Sequence, residues 1–156
     1  MINIDYVTNY QDIKEYLYSL KHFAKPETAK CAKGRLNFWN DLYPSYSQNL
    51  VRHANKISRL TTLRKTLYPE SDLCQVFFAD DFKGIAPHSD WKGFEDKAMI
   101  LNMGAGVFTV NNSEYFLTGG ELITFNCRER HSYIPNDESR IGLGIWKLKK
   151  HIRLVA

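Results

Sequence analysis

Cysteine is scarce in this sequence: Cys31, Cys74 and Cys127 are odd in number, far apart, and form no C-x-x-C pair. That argues against a disulfide framework, a cysteine-built zinc site and a dithiol redox pair, and fits a reducing, intracellular setting. Long apolar runs are missing as well. No uncharged stretch approaches the ~18 residues of a membrane span. The first residues, MINIDYVTNY, are polar and include Asp5, unlike a secretory leader. The expectation is a cytoplasmic protein with no membrane association. Internal repeats, low-complexity stretches and linker-like segments are also lacking, so residues 1–156 read as one domain. No Ser/His/Asp or Cys/His grouping suggests a side-chain nucleophile.

Apolar and aromatic residues are well represented, at 44% and 13%. That is enough large side chains for a packed core without covalent staples. The net charge of +4 is unevenly placed. Residues 1–72 carry 11 Lys/Arg against 7 Asp/Glu, whereas residues 73–156 carry 10 of each. Such an asymmetry marks either a nucleic-acid surface, with Arg59, Arg64 and Lys65 among its guides, or ordinary solvated helix faces.

The first third reads as helical. Between Tyr10 and Phe23, residues Ile13, Tyr16, Leu17 and Leu20 recur at helical spacing, and Pro26 ends the pattern. A second helix is expected from Leu50 to Leu67, closed by Pro69. From Leu73 the pattern changes to short strands: Leu73–Ala79, Ala98–Met103, Val107–Val110, Glu114–Leu117, Glu121–Asn126 and Arg140–Leu148. Turn signals at Gly104–Gly106, Asn111-Asn112 and Gly119-Gly120 separate them. The fold class expected is α+β, mainly β. A sandwich or barrel spans 73–156, with the helical residues 1–72 packed on one face as support and possible substrate lid.

The chemistry-bearing residues all lie in the second half. In His88-Ser-Asp90 the two outer side chains point the same way if the segment is extended, so both can reach one metal. His131, after the apolar strand ELITFNC, would complete a face of two histidines and one carboxylate. Such a face leaves open positions and is typical of non-haem Fe(II) oxygenases. A lone H-x-D is a weak signal; its order with His131 and a later Arg strengthens it. His22, His53 and His151 lie in helical or highly charged surroundings and read as solvent-facing. Arg140 opens the strand RIGLGIWKL, where alternation places Arg140, Gly142, Gly144 and Trp146 on one face. A planar guanidinium beside two glycines suits the distal carboxylate of 2-oxoglutarate. Without the metal ligands it would read as a surface ion pair.

These pieces in this order resemble the AlkB-like branch of the Fe(II)/2-oxoglutarate dioxygenases. The resemblance covers about Gln75 to Lys147: QVFFADDFKGIAPHSD, AMILNMGAGVFTV, LTGGELITFNC with RERHSYIP, and SRIGLGIWKL. It implies a double-stranded β-helix, or jelly-roll, core. It also implies that His88, Asp90 and His131 hold Fe(II), that Arg140 anchors the co-substrate, and that O₂ is consumed. The family's Asn-x-Tyr contact to 2-oxoglutarate falls on Gln75 and Phe77, and its second Arg falls on Trp146. Both departures remove polar contacts to the co-substrate. Trp91 and Lys92 stand where the family often has acids that help to read an alkylated base. Trp91 offers either a stacking surface for a flat substrate or a packing residue that pins its loop.

Three functions stay open at this level. The first is hydroxylation or demethylation of a nucleic-acid base or nucleotide. The second is the same chemistry on a protein side chain or small metabolite, and the third is a non-catalytic jelly-roll binding module. No obligate protein partner is implied.

Overall fold

The computed structural model describes residues 2–80 and 83–156, so Asp81 and Phe82 of the strand-loop before His88 lie outside the described residues. In chain order the first 72 residues form β1 (Ile2–Tyr6), α1 (Tyr10–Tyr18), β2 (Lys25–Pro26), β3 (Leu36–Asn40), β4 (Leu42–Ser45), β5 (Leu50–His53) and α2 (Ser58–Leu67). Then follow β6 (Leu73–Phe78), β7 (Ile85–His88), β8 (Phe94–Met103), β9 (Gly106–Val110) and β10 (Ser113–Leu117). The chain ends with β11 (Glu121–Asn126), β12 (His131–Pro135), β13 (Ile141–Leu148) and β14 (Arg153–Val155).

Two antiparallel sheets face each other. The larger has the order β1-β11-β8-β13-β6-β3-β2 and the smaller β10-β9-β12-β7. Between β6 and β13 the chain crosses from one sheet to the other at every step except the β9–β10 hairpin. This is the alternation of a jelly roll. That hairpin turns on Asn111 and Asn112, both at positive φ (47° and 69°), as a two-residue turn between right-twisting strands requires.

The helical layer expected over residues 1–72 is not what forms. Among its described residues that segment holds two short α-helices, two single-turn 3-10 helices and five strands. β1 pairs with β11, and β3 pairs with β6. The reason is tertiary: β11 and β6 would otherwise leave open edges, and pairing them satisfies a row of backbone groups. The expected Leu50–Leu67 helix is split, because Leu50–His53 pairs with β4 on one side and β14 on the other. His53 therefore lies on a strand rather than in a helix.

The alternation read in β13 sets up two cores. Ile141, Leu143 and Ile145 point outward into a cluster with Leu17 of α1 and Leu60 of α2. Trp146 points between the sheets, into a cluster with Phe94, Phe108, Ile123, Phe125 and Tyr133. The side chains of the candidate site project into that inter-sheet space.

Candidate active site

His88 ends β7 and His131 begins β12, and the two are direct partners in the antiparallel register. Pairing alone therefore brings together two histidines 43 positions apart in the chain, with ring centroids 4.4 Å from one another. Asp90 lies two residues beyond His88, tethered by its N–H to the Cys127 carbonyl at 2.9 Å. Ser89 Oγ adds a bond to the Arg128 carbonyl at 2.8 Å. The ligand-type atoms of His88, Asp90 and His131 lie within 4.8 Å of one another.

The tautomers suit a metal. Nδ1 of His88 lies 2.8 Å from the Ala86 carbonyl, and Nδ1 of His131 lies 2.8 Å from the Glu129 carbonyl. A carbonyl only accepts, so each Nδ1 carries a hydrogen, which leaves each Nε2 to donate to a carboxylate when protonated or to offer its lone pair to a metal. Both Nε2 atoms converge on one Asp90 oxygen, at 3.2 and 3.1 Å. Burial opposes the charge on Asp90, but bonds from His131, His88 and Trp146 outweigh it and hold the carboxyl well below its ordinary range. Burial likewise works against a charged His131, yet the Asp90 carboxylate raises its pKa. Two imidazoles and a carboxylate arranged on one side fit a first-row divalent ion with free positions.

Trp146, expected to mark a lost polar contact, makes one. Its Nε1–H donates to the second Asp90 oxygen at 2.9 Å. Its ring stacks on Phe94 at 5.0 Å, which fixes the indole and through it the carboxylate. The glycines of β13 do not leave the empty space that their sequence suggests. A Cβ at Gly144 would collide with the Trp146 ring, and one at Gly142 with the Phe77 ring. They make room for aromatic side chains instead.

A cavity of about 300 Å³ runs from the metal-type ligands past Phe77 to Arg140. Arg140 is 4% exposed, and none of the ion pairs among the described residues includes it. Its Nε donates to Asn102 Oδ1 at 2.9 Å, and its guanidinium lies 3.8 Å from the centre of the Tyr133 ring. Burial lowers its pKa to about 10, so it stays protonated near neutrality. Gln75 lines the same cavity, but its amide nitrogen already donates to Glu27 and Asn37, each at 3.0 Å. Trp91 contributes to the wall, packed edge-on against Phe94 and tilted against Tyr46. Lys92 is exposed and does not line the cavity.

Sequence reasoning missed a second arginine in this cavity. Arg35, 8% exposed, enters the cavity from the turn before β3, with its guanidinium 4.3 Å from the centre of the Phe77 ring. Glu27 accepts from its Nη2 at 3.1 Å. Neither residue stands in a recognisable motif; the only signal is that Arg35 alternates with Asn37 and Trp39.

No protein-family model and no curated protein matches the chain. Solved structures do. The structure of OsALKBH1 is 12% identical, with TM-score 0.60, over 94% of this chain and 97% of that one. A prolyl-4-hydroxylase from Pseudomonas putida is 13% identical with TM-score 0.60, over 96% and 92%. An oxidoreductase of the 2OG-Fe(II) oxygenase family from Burkholderia pseudomallei is 14% identical with TM-score 0.61, over 93% and 84%. At these identities the likeness is one of fold: this chain has the jelly-roll fold of those three proteins over nearly its whole length.

Proposed function

We propose that residues 1–156 form a single Fe(II)- and 2-oxoglutarate-dependent dioxygenase domain. His88, Asp90 and His131 are the metal ligands, and Arg140 binds the distal carboxylate of the co-substrate. The observation that carries this reading is a buried arginine without a carboxylate partner in the same cavity as a two-histidine, one-carboxylate face. The fold shared with a 2OG-Fe(II) oxygenase supports it.

When bound, the iron would supply redox chemistry in which a C–H bond, O₂ and 2-oxoglutarate give C–OH, succinate and CO₂. The protein's part is geometry. The two Nδ1 bonds keep both Nε2 lone pairs directed inward. Trp146 holds Asp90 in one orientation. Arg140 fixes the far end of the co-substrate, where Phe77 offers a ring and no hydroxyl. The apolar wall of Ile85, Ile100, Phe108 and Ile123 keeps water from the reacting centre.

For a base or nucleotide substrate, the supporting observations are the Trp91–Tyr46 aromatic pair beside the cavity and a fold shared with OsALKBH1. The charge argument for nucleic acid weakens, because two of the N-terminal arginines are internal. Arg35 is in the cavity, and Arg64 is 4% exposed in an ion pair with Asp41 at 2.9 Å. A small metabolite or a single protein side chain is favoured by the modest, largely apolar cavity.

The reaction is tested by loading Fe(II) anaerobically, adding 2-oxoglutarate and O₂, and measuring succinate. No succinate and no Fe(II)-dependent 2-oxoglutarate binding would leave a non-catalytic binding module. Salt-dependent oligonucleotide binding separates the two substrate readings.

A further inference from the structure

We propose that Arg35 and Glu27 are the recognition pair for the substrate that is oxidised, and that this substrate is a free α-amino acid with an apolar side chain. The proposal rests on the reading of the cavity as an Fe(II)/2-oxoglutarate site.

Arg35 is buried, yet only one of its nitrogens has an acceptor. Nη2 donates to Glu27 Oε1, while Nε and Nη1 are buried and have no hydrogen-bond partner among the described residues. Leaving buried N–H groups of a cation unpaired is costly unless a ligand completes them. Glu27 is half used in the same way. Its Oε1 accepts from Arg35 and from Gln75, and its Oε2 has no hydrogen bond among the described residues. One cavity wall thus presents a cation with spare donors beside an anion with a spare acceptor. The pair is neutral as it stands. A ligand bearing a single charge would meet attraction from one partner and repulsion from the other. A zwitterion meets attraction from both, its carboxylate on Arg35 and its ammonium on Glu27.

The pair and the proposed co-substrate anchor are close but make different bonds. Arg140 donates to Asn102 and lies over the Tyr133 ring, whereas Arg35 donates to Glu27; both guanidinium groups contact the Phe77 ring, at 5.2 and 4.3 Å, and the charge of Arg35 acts on Arg140. Arg35 and Glu27 line the same cavity as His88, Asp90 and His131. Tyr46, 48% exposed, lines the same cavity, and a ligand reaches the covered nitrogens of Arg35 only where a neighbouring side chain shifts. Ile85, Phe94, Ile100, Phe108 and Ile123 give the same cavity an apolar surface, which fits a hydrocarbon side chain.

The experiment uses the full chain with Fe(II) and 2-oxoglutarate. Each apolar L-amino acid from alanine to phenylalanine is tested for anaerobic binding by tryptophan fluorescence, and for stimulation of succinate formation once O₂ is admitted. At least one should bind and stimulate. Its amine, lacking the carboxylate, and its N-acetyl derivative, lacking the ammonium, should each bind about tenfold more weakly or worse. Arg35→Lys keeps a charge for Glu27 and should preserve the fold. It should lose a similar factor in amino-acid binding while keeping the parent's 2-oxoglutarate requirement. If no amino acid binds, or the amine and N-acetyl forms bind as well, the proposal is wrong. If Arg35→Lys instead raises the 2-oxoglutarate requirement, Arg35 belongs to the co-substrate anchor. A parent protein without Fe(II)-dependent 2-oxoglutarate binding would overturn the metal reading, and this proposal with it.

Discussion

The two ends of the cavity are built on opposite terms. At the end that holds His88, Asp90 and His131, the proposed metal end, every polar group of the three is already held. Both imidazoles are bonded through Nδ1, and both oxygens of Asp90 are occupied, one facing the two Nε2 atoms and the other on Trp146. At the far end two buried guanidinium groups contact Phe77, and among the described residues only Arg35 has a carboxylate partner, Glu27. The metal end is pre-organised by hydrogen bonds within the fold, whereas the far end is left short of anions, which the ligands would supply. The difference teaches that pre-organisation and vacancy are divided by position within one pocket.

The largest expected effect breaks the metal end alone. His88→Ala, Asp90→Ala or His131→Ala should abolish succinate formation and weaken Fe(II) binding, while His22→Ala and His53→Ala change neither. Full activity in any of the first three removes the metal assignment.

Arg140→Ala should do the reverse. The 2-oxoglutarate requirement should rise by about a hundredfold, because the distal carboxylate is stranded in a buried site. Anaerobic Fe(II) binding should stay near the parent's, and Arg140→Lys should recover only part of the loss. An unchanged requirement would make Arg140 a structural residue.

Trp146→Phe sharpens the comparison, since it keeps the stack on Phe94 and deletes only the bond to Asp90. Fe(II) affinity should drop by about 10- to 100-fold, the usual cost of losing an outer partner of a metal ligand. Co-substrate affinity measured at saturating metal should barely move.

The smallest effect concerns acid. Glu121 is buried, which by itself would raise its pKa, but bonds from the Thr118 N–H, Asn102 and the Gly119 N–H lower it below the ordinary 4.5. A depressed carboxyl pKa stabilises the fold above the unfolded value, and that stability is lost as pH falls through the folded one. The thermal midpoint should therefore decline as pH falls below the ordinary carboxylate value of 4.5, less steeply in Glu121→Gln. Parallel curves for the two proteins would show that Glu121 does not contribute.

By itself the sequence determined what local chemistry encodes. Alternation in Ile141–Leu148 separates Ile141, Leu143 and Ile145 from Trp146, and the structure places them in different cores. The spacing of His88 and Asp90, the Asn111-Asn112 turn and most of the strands after Leu73 were legible for the same reason. Tertiary structure alone decided the rest. Residues 1–72 carry helical spacing, but the open edges of β6 and β11 draw parts of that segment into strands. Such a pairing is an interaction across the chain that no local window contains. Gly142 and Gly144 read as free space until Phe77 and Trp146 fold over them. Nothing in the sequence singles out Arg35 or Glu27. Burial beside Phe77, set by the register of β3 on β6, turns them into a cation and an anion with bonds still to make.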